Sequence, residues 1–335
     1  MTLSRKIAID LGTSNSLVFE VGRGLVLQEP TVVAVSLDDN RVLAVGTQAQ
    51  RMLGRTPANI QASRPLRDGV IADYHITEVL LSYFIQRACG RFRFLRPQIM
   101  LSVPAGVTSV ESRAVLDAAL GAGAGKAYLL PEPLAAALGA GIPVEQASGN
   151  MIFNSGGGTT EIAIISLGGV VVSESARLAG DRLDEAIASY VRRKYELVIG
   201  EQAAERLKID IGSAAPLEKR LTSEVKGRDS LTGLPRTVEV SSEEITEAIK
   251  DVLEGMVLAV HRVLEKTPPE LASDVIDKGI VLSGGTSLLR NLDLFLTKTI
   301  GVPAHVAGDP IYCVVRGIAQ ALEDFESYHR FVVKK

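Results

Sequence analysis

The chain has 335 residues, with 36 Lys and Arg against 39 Asp and Glu, a formal charge of −3. That balance argues against a global basic footprint, and no nucleic-acid partner is expected. A hydrophobic fraction of 46% is too high for a disordered chain, and single cores stop growing at roughly 250–300 residues, so two lobes are expected. The 31 Gly, set against no Trp and 4% aromatic residues, point to aliphatic packing and to glycines that serve the backbone.

From the start, Ile7–Asp10, Leu17–Val21, Gly24–Leu27 and Val32–Val35 read as short apolar strands. The run 12–15, Gly-Thr-Ser-Asn, suits a tight hairpin between the first two. The segment before them, Met1 to Lys6, has the features of neither a signal peptide nor an amphipathic anchor helix. Ile76–Arg91 has helical periodicity. Ile99–Val103 is a buried strand, and Ser109–Leu120 is a helix ending in the glycines of 121–125. That glycine run lacks the Ser or Thr after Lys126 and follows a helix, so it is not a Walker loop. Tyr128–Leu130 is a strand, and Pro133–Gly139 a helix with Pro near its start.

A second cycle follows. Met151–Phe153 and Ile162–Ile165 are strands flanking a glycine turn. Asp184–Tyr195 and Glu201–Leu207 are helical, 217–239 is a charged hairpin, and Glu243–Leu264 is a long helix with a loose capping signal at Ser242 and Glu244. Ile280–Leu282 is a strand that runs directly into Ser283-Gly284-Gly285-Thr286. Strands and helices alternate, which predicts an α/β chain. Cys89 and Cys313 have no metal-ligand spacing and are expected to be buried and reduced. No uncharged apolar run reaches transmembrane length.

The glycine turns carry the chemistry. Residues 7–13, IAIDLGT, are echoed by 151–159, MIFNSGGGT: a strand, an Asx residue, glycine, then a hydroxyl. Glycine lets backbone N–H groups approach an anion with no Cβ in the way, and the hydroxyls and N–H groups of such a turn can cradle phosphate oxygens. A carboxylate at the strand end, Asp10, can hold a divalent cation through water, as Mg²⁺ prefers. One such turn is commonly an ordinary hairpin. Two at corresponding places in two cycles suggest a nucleotide gripped from both sides.

Residues 10–16, DLGTSNS, resemble the first phosphate loop of the actin, sugar-kinase and heat-shock-chaperone ATPase superfamily. Residues 154–160, NSGGGTT, resemble its second phosphate loop, and 280–287, IVLSGGTS, its adenosine motif. The segments 28–34, 52–57, 64–73, 161–168 and 205–212 are similar to the MreB family of bacterial actins, so the resemblance runs in order along essentially the whole chain. It implies an actin-like, ribonuclease-H-like fold duplicated into two lobes with a nucleotide cleft. Subdomain IA would comprise 1–31, 75–146 and 312–335, IB 32–74, IIA 147–180 and 245–311, and IIB 181–244.

Carried onto matching positions, the resemblance implies ATP and Mg²⁺ as cofactors. Asp10 would hold the metal through water. Gly12, Thr13, Ser14 and Asn15, with Gly156, Gly157, Gly158 and Thr159, would bind phosphate. Glu205 and Lys208 would meet the ribose or adenine, and Gly284 and Gly285 would lie against the base and α-phosphate. Glu132 would orient the attacking water, although without the two loops it reads first as an acid at a helix N-terminus. The sequence departs from the family at Asn154, where Asp is usual, and at Pro131, where an acid is more common. Asn154 removes a charge from the site, and slow or absent hydrolysis is expected.

The segment 91–97, RFRFLRP, sets Phe92, Phe94 and Leu95 among arginines, as a lipid-inserting loop would. The resemblance implies double protofilaments of the chain itself, attached to inner-membrane lipid and engaged with the cell-wall synthesis machinery. The expected location is cytoplasmic, peripheral on the inner face of the membrane. A non-hydrolysing scaffold paralogue and a small-molecule kinase of the same fold remain alternatives.

Overall fold

The computed structural model describes residues 4–39, 41–90 and 95–334, the last by its backbone alone. Two central sheets carry the fold, and each begins with a three-strand antiparallel meander. In the first, Lys6–Leu11 pairs with Asn15–Glu20, which pairs with Gly24–Pro30. In the second, Asn150–Ser155 pairs with Thr160–Ser166, which pairs with Gly169–Ala176. Each first strand then takes a parallel neighbour on its other side, Gln98–Val103 in one sheet and Ile280–Ser283 in the other. Lys126–Pro131 and Ala304–Val306 extend these in parallel. The strand order is the same in both, and the first sheet gains a sixth, antiparallel strand at Val333–Lys334. The internal echo of the two glycine turns is thus the local mark of a duplicated sheet.

Three apolar clusters hold this arrangement. One, with Ile7, Ile9, Leu80, Phe84, Ile99 and Leu129, fills lobe one between its sheet and the helices Tyr74–Cys89 and Ser109–Gly121. Another, with Phe153, Ile162, Leu183, Ile249, Met256 and Leu282, fills lobe two beneath the helices Gly180–Tyr195 and Ser242–Lys266. The third joins the lobes. Ala8, Leu17 and Met100 from the first sheet and Ile152, Ala163 and Ile165 from the second face the helices Glu132–Gly139 and Cys313–Glu323. Each fully buried Ile or Leu contributes about 1.5–3 kcal/mol of transfer free energy. The two helices cross almost without side chains between them: a Cβ on Gly139 would lie 1.7 Å from the Cys313 carbonyl oxygen, and one on Gly317 1.8 Å from that of Ala135. The lobes therefore join at a tightly packed helical base.

Each lobe also carries a smaller unit. In lobe one, Val33–Ser36 is flanked by Val42–Val45 and Ile60–Ser63. In lobe two, Leu197–Val198, Thr222–Asp229 and Pro235–Ser241 form a sheet that includes the expected hairpin. The long helix starts one residue earlier than expected, because Ser241 rather than Ser242 caps it. The Glu244 carboxylate accepts from the Ser241 N–H at 2.7 Å in a full capping box. Helices at Pro269–Lys278 and Leu292–Ile300 were not foreseen; both are short, with few buried positions to make a period. Cys89 and Cys313 are buried, reduced cysteines. Among the described residues no helix is long and apolar enough to cross a membrane.

Candidate functional site in the interlobe cleft

Between the lobes lies a cavity of about 390 Å³, within the usual range for ligand sites. Its wall contains Asp10, Gly12, Thr13, Ser14 and Asn15 from the first turn, Asn154, Gly156, Gly157, Gly158 and Thr159 from the second, and Gly284 and Gly285 from the third. Glu132, Glu205 and Lys208 line it as well. Every cleft residue singled out from sequence is thus brought to one space. Of the proposed membrane residues, Leu95 is 53% exposed, while Phe92 and Phe94 lie outside the described residues.

The need for glycine is geometric. A Cβ on Gly157 would lie 1.9 Å from Ser14 Oγ, and one on Gly158 2.5 Å from Thr13 Oγ1. The two turns, from opposite lobes, face each other with the Ser14 and Thr13 side chains set against the glycine backbone. The third turn is set by Gly284, whose φ of +84° is strained for other residues and whose Cβ would meet the Ser155 carbonyl at 2.2 Å. Glu205 and Lys208 lie one helical turn apart on the Glu201–Ile211 helix and so share a face. Lys208 Nζ donates to the Gly180 carbonyl at 3.1 Å and to Asp184 at 2.9 Å, which ties that face to the start of the neighbouring helix.

Acids gather at the other end of the cavity. Asp10 accepts from Ser102 Oγ at 2.9 Å. Burial pushes its carboxyl up to about 6, against the lowering effect of that hydrogen bond. Glu132 is held well above the ordinary carboxyl range, first by burial and then by the carboxylates of Glu161 and Asp10, while the Asn154 donor pulls it down. Asn154 is 2% exposed. Its Nδ2 donates to Glu132 Oε1 at 2.7 Å and its Oδ1 accepts from Ser283 Oγ at 2.9 Å, so both ends of the amide are used. An ionised carboxylate in its place could accept from Ser283 but could not donate to Glu132. Glu161, opposite Asn154 in the adjacent strand, is fully buried and accepts from the Ser175 hydroxyl and from the Ala105 N–H. Burial raises its carboxyl.

This end suits a hydrated divalent cation. Among the described residues no cluster of three or more His, Cys, Asp or Glu side chains has the form of a metal cage. A cation here would be held by a single carboxylate, through water, and by oxygens of its ligand, which is the habit of Mg²⁺. Sequence reasoning missed Ser102, Glu161 and Asp181. Asp181 lines the cavity and follows a helix-start glycine, but its role depends on contacts with the other lobe. Glu161 sits within an otherwise apolar strand, and that misplaced charge was the signal available.

The profile of the family described as MreB/Mbl protein matches residues 4–330. The chain belongs to the MreB/Mbl family. It is 51% identical over 326 residues to the cell shape-determining protein MreB of Escherichia coli (strain K12), covering 96% of this chain and 94% of that protein. With the cell shape-determining protein Mbl of Bacillus subtilis (strain 168) the identity is 45% over 323 residues, covering 96% and 97%. The fold matches the crystal structure of MreB5 of Spiroplasma citri bound to AMPPNP with a TM-score of 0.94 at 35% identity, covering 98% and 99%. It also matches the same protein bound to ADP, with a TM-score of 0.93. A MamK double helical filament shares the fold, with a TM-score of 0.81 at 22% identity over 95% and 99% of the two chains. The MreB/Mbl fold is actin-like, as the sequence resemblance implied.

Proposed function

We propose that this MreB/Mbl-family chain binds Mg-ATP in the interlobe cleft and assembles with copies of itself into membrane-attached double protofilaments that guide cell-wall synthesis and cell shape. The observation that carries the reading is the convergence of three glycine turns from two lobes on one cavity. The cell-shape names of its relatives and the nucleotides bound to its structural neighbours agree with it. In this reading Asp10 holds the hydrated Mg²⁺, the backbone N–H groups of the first two turns hold phosphate, and Glu205, Lys208, Gly284 and Gly285 hold the nucleoside. The cation would neutralise phosphate charge. The subdomain boundaries expected from sequence are proposed with it. The site of action is proposed to be the cytoplasmic face of the inner membrane, with the cell-wall synthesis machinery as partner.

Turnover is proposed to be slow. In this reading Glu132 would accept a proton from water, yet burial and neighbouring acids favour its protonated form. Asn154 lends it a hydrogen bond but no charge that would help polarise water. The chain then serves as a slowly hydrolysing filament scaffold.

Electron microscopy of the purified chain with Mg-ATP and anionic liposomes tests the reading. Double filaments lying on the vesicles are expected. Nucleotide binding with no filaments under any of these conditions would overturn the filament function. Leu95, exposed beside Arg96, supports the proposed lipid contact. Co-sedimentation with liposomes should fall on Phe94→Ser/Leu95→Ser, and unchanged binding would reject that loop as the anchor.

A further inference from the structure

The open edge of the cleft is spanned by side chains that the three glycine turns do not supply. Arg64 leaves the end of the Ile60–Ser63 strand, in the small unit of lobe one. Its Nη2 lies 2.6 Å from Glu201 Oε1 and its Nη1 3.4 Å from Asp181 Oδ1. Both acids belong to lobe two, at the starts of the Glu201–Ile211 and Gly180–Tyr195 helices. The guanidinium is therefore forked across the gap between the lobes. Asp181 Oδ1 also accepts from Ser14 Oγ at 3.0 Å, so the same oxygen touches the first glycine turn. Beside the fork, Gln202 Nε2 donates to the Gln50 carbonyl at 3.0 Å, and Arg177 stands 3.8 Å from Asp68.

The Arg64 side chain is 20% exposed, against 55% for Glu201. Its Nε is buried with no hydrogen-bond partner. A buried N–H left unpaired costs stability. The side chain is thus placed for its reach to lobe two at the expense of its own hydrogen bonding. The packed helical base lines the cavity through Glu132 and Val314, whereas Arg64 joins the lobes outside that lining, so an opening motion about that base would part Arg64 from Asp181 and Glu201.

We propose that Arg64 is a nucleotide-retention residue: its fork to Asp181 and Glu201 latches lobe one to lobe two across the mouth of the cleft, and a bound nucleotide leaves when that latch opens. The proposal rests on the nucleotide reading above. A fork needs the planar guanidinium; a lysine ammonium is a point charge and holds one acid well at a time. The latch acts on escape rather than entry, because its contacts exist only in the closed form.

The test uses the full chain, kept dilute enough not to assemble, loaded with a fluorescent ATP analogue and Mg²⁺ and chased with excess ATP. Arg64→Ala is expected to speed release by about tenfold, the scale of one charge-assisted contact pair. Glu201→Ala, an exposed partner whose loss leaves the core intact, should speed it by about two- to fivefold. Arg64→Lys should fall between the natural chain and Arg64→Ala. The double variant Arg64→Ala/Glu201→Ala should release no faster than Arg64→Ala, since the same contact is lost. Association rates should change little, which separates a latch from general damage to the site. Arg41→Ala, an arginine of the same unit whose ion-pair partner is Asp39, should release at the natural rate. Release from Arg64→Ala at the natural rate, or independent effects in the double variant, would overturn the latch while leaving nucleotide binding intact. If the natural chain takes up no analogue, the nucleotide reading fails and the latch with it.

Discussion

Asn154→Asp restores the residue usual in the family and places a second acid 2.7 Å from a Glu132 oxygen, in place of the amide donor. Two carboxylates whose charges are centred about 4 Å apart repel by ~4 kcal/mol at an effective dielectric of 20. The hydrogen bond lost with the amide is worth about 0.5–1.5 kcal/mol. A buried acid pair limits this cost by keeping a proton between its members, as close carboxylate pairs do. The variant without nucleotide should therefore be destabilised by about 2–4 kcal/mol at pH 8, within the Coulomb limit, and by much less at pH 5. The sign follows from linkage. The folded pair has a pKa raised above that of an unfolded carboxyl, so it binds more protons when folded. Its stability is full below the unfolded value and is lost as pH rises through the folded one. Mg-ATP should narrow the gap, because a cation beside Asp10 offsets the added charge. The same charge should raise phosphate release in single turnover by about tenfold or more, since phosphoryl transfer rests largely on positioned electrostatics. Thermal melting at pH 5 and pH 8, with and without Mg-ATP, and quenched-flow phosphate release provide the measurements. Equal phosphate release by the two chains would refute the assignment of slow turnover to Asn154. Identical melting at both pH values would refute the close Asn154–Glu132 contact from which the magnitude is worked.

Gly317→Ala should destabilise the chain by about 1–3 kcal/mol or more, because its new methyl would meet the Ala135 carbonyl at the helix crossing; a denaturant midpoint within error of the natural chain would contradict that packing. Gly157→Ala should weaken binding of a fluorescent ATP analogue by more than about tenfold with little loss of fold, since the methyl displaces Ser14 from the turn; titration by fluorescence anisotropy reads it directly. Burial would raise the Glu244 carboxyl, but donors from Lys194, Tyr195 and Ser241 outweigh it and hold it down to about 2. A depressed carboxyl contributes stability above its unfolded value of about 4.3, and that share is lost as pH falls toward the folded value. Urea midpoints between pH 6 and pH 3 should thus fall less steeply for Glu244→Gln than for the natural chain.

The glycine turns were legible in sequence because each is local: a strand, an Asx residue and a few glycines report their own backbone needs within ten residues. The helices Pro269–Lys278 and Leu292–Ile300 were not, because one or two buried positions make no period. The cap of the long helix was misplaced by one residue, since Ser241 and Ser242 look alike until the Glu244 carboxylate selects the Ser241 N–H. Neither Arg64 nor Asp181 stands out as a site residue in the sequence. They are 117 positions apart, and nothing local to either marks the other.

By itself the sequence determined the strand–turn–strand units, their repetition in two halves and the amide at 154, because these follow from residue type and short-range spacing. The resemblance built on those units carried the fold and its cleft. Contacts set by the tertiary structure alone bring Ser14 and Thr13 of one glycine turn against Gly157 and Gly158 of the other, bridge Ser283 and Glu132 through Asn154, and pair Arg64 of lobe one with Asp181 and Glu201 of lobe two. Each of those contacts joins elements distant along the chain, and their distances are set by how two duplicated sheets pack against a shared pair of helices.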